Sequence, residues 1–197
     1  MFSLRWRLLG LALLLPVAAW FLVKPVRVLA PTLVGVTCVR SNVCVDDLAR
    51  SGDAQALYDE AVAFVSARLA PMDRPPRIVF CWTQRCAEAF GLGDRAAVMM
   101  GTWGAVIGPR AWTYWIVRHE LIHYVQARHL NALAMLLKPR WLVEGMAYAL
   151  SEDPRQPLAE PWESDRRRFL AWYAHVGPER MWEEARRLRR LAPNRGS

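Results

Sequence analysis

Residues 116–129 read IVRHELIHYVQARH, with two histidines four apart and a glutamate directly after the first. Residues i and i+4 of an α-helix lie one above the other on one face. A helix here therefore points His119 and His123 at a common ion, as two ligands of a tetrahedral zinc. Glu120 follows about 100° round the axis, beside the metal without having to ligate it. A carboxylate there can act as general base toward a water that the metal acidifies. The pattern thus demands a helix with one face turned to an open site.

A catalytic zinc takes three protein ligands, and two residues compete for the third place. His129 lies six residues past His123, about 240° round a straight helix and roughly 9 Å along it, so it points away unless the helix breaks. In the HExxHxxGxxH arrangement a glycine supplies that break, whereas this chain has Gln126 there, and YVQARHLNALAMLL continues with good helix formers. Glu144 is the stronger candidate. It stands 21 residues after His123 in RWLVEGMAYAL, where apolar neighbours leave a carboxylate in want of a cation.

RHELIHYVQ followed by PRWLVEGMAYALSE resembles the gluzincin metallopeptidases, the thermolysin-like zincins whose third ligand is a glutamate on the helix after HExxH. The match covers about residues 96–152. The resemblance implies one zinc ion on His119, His123 and Glu144, with Glu120 as base and proton shuttle. It also implies an edge strand before the HExxH helix, antiparallel to bound substrate, and GTWGAVIG stands in that place. The large flanking domains of better-known members have no counterpart here, which favours a small endopeptidase over an exopeptidase. No residue is singled out as oxyanion donor: Tyr148 could orient a ligand, and Tyr173 or His175 could donate to a tetrahedral intermediate. The alternatives are a catalytically silent zincin serving as an envelope assembly module, and a zinc amide hydrolase acting on cell-wall peptide.

The 197 residues suffice for one globular domain. Residues 8–23 carry no charge and follow Arg5 and Arg7, a signal anchor or a signal peptide that would occupy residues 1–30. A linker and Cys-bounded loop are expected over 31–50, and the zincin-like domain over 51–197. Four cysteines downstream of an export signal read as two disulfides in an oxidising compartment, with three connectivities open. The cell envelope, on the extracytoplasmic side, is the expected location.

Net charge is +8, with arginines gathered toward the end, yet no nucleic-acid motif accompanies them. A solvated basic face near an acidic membrane explains them, so the expected partners are a peptide or protein substrate and the membrane. The tryptophans near the motif (103, 112, 115 and 141) are expected in the core.

The coarse pattern is α+β, a small sheet early and a helical second half. A helix is expected from Ser51 or Asp53 to about 69, and strands at 77–82, 96–101 and 103–108. Helices follow over 112–137 and 140–152, near 162–175, and near 178–191.

Overall fold

The computed structural model describes residues 24–188, and the apolar run of 8–23 lies outside them. Among the described residues the fold is α+β: a five-stranded sheet and seven α-helices, most of the helical mass coming after the sheet. The strands are β1 (Thr37–Arg40), β2 (Val43–Val45), β3 (Arg77–Phe80), β4 (Ala97–Met99) and β5 (Gly104–Ile107). Their order across the sheet is β1-β2-β3-β5-β4. The three central strands run parallel, and the two edge strands run antiparallel to their neighbours.

Central strands buried on both faces should be continuously apolar, and RIVF and GAVI are. Period-two alternation splits them between two cores. Ile78, Phe80, Ala105 and Ile107 face the main helical layer, while Val79 and Val106 pack on the opposite side with Val28, Phe90 and Leu92.

The helices are α1 (Ser51–Arg68), α2 (Gln84–Ala89), α3 (Tyr114–Leu130), α4 (Ala132–Met135), α5 (Arg140–Leu150), α6 (Trp162–Val176) and α7 (Met181–Arg187). Helix α3 is buried through most of its length, against α1 on one side and α5 and β4 on others. Helix α5 packs closely on α6 because Gly145 lets it. A β-carbon at Gly145 would fall 2.3 Å from the carbonyl oxygen of Asp165. The side chain of Lys138 is buried and donates to the carbonyls of Ala185, Arg186 and Leu188, tying the end of α7 to the start of α5.

Several expectations change. Residues 31–50 hold the hairpin β1–β2 rather than a loop, so the sheet begins before residue 51. Residues 84–89 form α2, begun by Thr83, whose hydroxyl accepts from the Cys86 amide. The helix expected over 112–137 stops at Leu130. Asn131 takes φ +70° and its side chain accepts from the Leu133 and Ala134 amides, so one residue ends α3 and caps α4. The expected edge strand, 101–108, is interior: β5 lies between β3 and β4, and the edge is β4. Gly101 (φ +56°) turns β4 back onto β5, and the close approach of Gly104 to the Arg77 carbonyl seats β5 against β3.

Two disulfides join Cys38 to Cys44 and Cys81 to Cys86, which resolves the three connectivities and fits an oxidising compartment. Among the described residues no helix is long and apolar enough to cross a membrane.

Candidate metal centre

With its other sides buried, α3 presents Trp115, Ile116, His119, Glu120 and His123 to a cleft of about 630 Å³. Edge strand β4 forms one wall, and Val143, Glu144 and Tyr148 of α5 form another.

His119 and His123 are one turn apart, as their spacing requires, and their Nε2 atoms stand 3.1 Å apart. From α5, Glu144 brings Oε2 to 3.6 Å from His119 Nε2 and Oε1 to 3.7 Å from His123 Nε2. Two donors each 2.0–2.1 Å from one tetrahedral ion lie about 3.3 Å apart. The three side chains therefore match the spacing of a mononuclear site, and together they could hold a metal ion. Burial alone would raise the Glu144 carboxyl, but the His119 hydrogen bond, the charge of both imidazoles and Arg140 outweigh it and hold the group below its ordinary value.

His123 is oriented from behind. Gln126 is fully buried, and its Nε2 donates to the Val143 carbonyl at 2.8 Å. That assignment leaves Gln126 Oε1 as the acceptor facing His123 Nδ1, also at 2.8 Å. Nδ1 must then carry the proton, and the Nε2 lone pair is turned toward Glu144 and His119. The same amide connects α3 to the residue preceding Glu144. His119 is braced by Tyr148, whose ring meets it edge-on at 4.5 Å.

Glu120 is buried beside the donors, and its Oε2 has no hydrogen-bond partner among the described residues. Burial, the foremost cause, pushes its carboxyl up to about 7. The nearby Glu144 carboxylate adds to this, while His123, the Met99 amide and Arg95 oppose it. The Met99 contact places Glu120 directly under β4.

No protein-family model, curated protein or solved structure matches the chain. What the site can do is therefore read from its own chemistry. Two imidazoles and one carboxylate form a borderline N₂O donor set, of the kind that takes zinc and neighbouring divalent transition metals.

The remaining candidates separate cleanly. His129 is outside the site, its ring stacked on Trp182 with centroids 4.3 Å apart, because α3 runs straight through residue 129. Tyr173 stacks on Phe169, and His175 is exposed at the end of α6. Neither lines the cleft. Trp141 is in the core and Trp112 and Trp115 are half-buried, whereas Trp103 is mostly exposed, contrary to its expected burial.

The cleft also contains residues that motif reading passed over. Asp94 and Arg95 stand on its rim, with Asp153, Arg155 and Trp162 beyond Tyr148. Asp153 is buried and grips Arg155 through both carboxylate oxygens, aiming the guanidinium toward the Tyr148 ring. Gln126 carried a detectable signal, its i, i+3 spacing from His123. The rim residues carried none, since loops place them.

Proposed function

We propose that this chain is a zinc-dependent peptidase, acting as an endopeptidase in the cell envelope. The observation that carries the reading is the meeting of His119, His123 and Glu144 from two helices, with the buried Glu120 alongside. A divalent ion held there supplies Lewis-acid polarisation of a carbonyl and acidification of a water.

The chain's own residues supply the rest. Glu120 accepts a proton from the attacking water and returns it to the leaving amine, and its burial beneath β4 keeps that carboxylate out of bulk solvent. Gln126 and Tyr148 hold the two imidazoles in place. Among the described residues strand β4 pairs with β5 alone, so its other edge can receive an extended peptide along the cleft. The two disulfides and the uncharged stretch 8–23 after Arg5 and Arg7 support an extracytoplasmic reading.

The Glu120→Gln variant decides between catalysis and a silent module. It should bind zinc as the wild type does and lose cleavage of a mixed peptide library by at least about 100-fold, the scale of a positioned general base. Full biological activity in that variant would assign the fold to assembly instead. Cleavage of peptidoglycan peptides but of no protein would redirect the substrate to the cell wall.

A further inference from the structure

Solvent-facing apolar side chains carry information when they gather in one place. Trp103 is 55% exposed in the β4–β5 turn, Leu29 is 50% exposed, and Leu133, Leu136 and Leu137 on and after α4 are 77%, 72% and 65% exposed. These three segments meet. A β-carbon on Gly101 would sit 3.2 Å from that of Ala132, so the β4–β5 turn leans on α4. One on Gly104 would sit 3.0 Å from Val28, and Arg77 donates to the carbonyls of Val28 and Leu29. All five side chains therefore belong to the end of the domain where β3 and β5 begin.

Two independent observations say what covers this end. The uncharged run 8–23 leads directly into the 3₁₀ turn Lys24–Leu29. At about 2 Å per residue, that turn keeps Lys24 within roughly 10–12 Å of Leu29. The longest uncharged stretch of the sequence thus ends one short turn away from Leu29, at Lys24, whose ammonium donates to the Glu88 carbonyl. Behind α4 stand the exposed Arg128 and Arg186, the latter donating to the His129 carbonyl. Leucines on a short helix, a tryptophan beside them and arginines behind match the interfacial zone of an anionic bilayer.

We propose that this end of the domain is a membrane contact, in which Trp103, Leu133, Leu136 and Leu137 enter the interface of an anionic bilayer. The proposal stands apart from the metal chemistry. Gly101 and Met135 line the cleft as well as bordering this surface, so the cleft rim is held next to the lipid.

The test uses the full chain reconstituted in vesicles of phosphatidylglycerol and phosphatidylcholine carrying a photoactivatable acyl chain, with labelled peptides mapped by mass spectrometry. Labels are expected on 101–104 and 132–138 as well as within 8–23. Replacing Leu133, Leu136 and Leu137 with serine should reduce labelling at the former two sites several-fold and leave that at 8–23 and the unfolding temperature unchanged. Labelling confined to 8–23 overturns the proposal, as does equal labelling in both forms. So does cross-linking of these leucines to 8–23 of the same chain or to a second protein copy in place of lipid.

Discussion

Gln126 Oε1 lies 2.8 Å from His123 Nδ1 while Gln126 Nε2 lies 2.8 Å from the Val143 carbonyl, so one buried amide fixes both the tautomer of His123 and the seat of the helix bearing Glu144. Replacing Gln126 with Met keeps the volume and removes both bonds. Zinc affinity should fall about 10- to 100-fold, as for other groups that orient a metal-binding histidine. A chelator competition titration measures it, and unchanged affinity would remove Gln126 from the site.

Gly145 sits where α5 meets the Asp165 carbonyl. In Gly145→Ala the methyl must push α5 away from α6, costing about 1–3 kcal/mol and shifting Glu144 next to it. Denaturant midpoints and zinc content should fall together. Gly52 has nothing within 4 Å of its would-be β-carbon, so Gly52→Ala should leave both unchanged or gain a few tenths of a kcal/mol.

Metal content separates the two candidate third ligands. Purified Glu144→Ala should lose its zinc. His129→Ala should retain it and lose only the stacking on Trp182, about 0.5–1.5 kcal/mol of stability. The opposite pattern would overturn the ligand set.

The Lys138 ammonium donates to three carbonyls at the end of α7. Lys138→Met leaves those buried acceptors short of a donor and should destabilise the fold by about 1–3 kcal/mol. Because Lys138 does not itself line the cleft, zinc affinity of the folded variant should match the wild type.

The grouping of His119, His123 and Glu144 was legible because its signal is local. Four-residue spacing on a helix puts His119 and His123 together, and a carboxylate among apolar residues on the following helix wants a cation. The central strands were legible from their continuous apolar runs. Sheet order was not, because pairing β3 with β5 and sending β4 to the edge is a non-local choice that RIVF, AVM and GAVI do not encode separately. The hairpin β1–β2 was hidden by its brevity and by exposed residues along β1. The end of α3 was missed because Asn131 interrupts a stretch of good helix formers, and only its positive φ and capping bonds reveal the break. Helix α2 depends on Thr83, which Asp46 of a distant segment holds through the Thr83 amide and hydroxyl.

The covalent bracing and the candidate metal centre occupy opposite sides of the sheet. All four cysteines belong to the layer around Val79 and Val106, across the strands from α3, and each bridge spans only five or six residues of chain. Such short loops restrict the unfolded chain locally rather than across the domain. Thiol reduction should therefore loosen the far layer first, leaving the layer that carries His119, His123 and Glu144 the less affected.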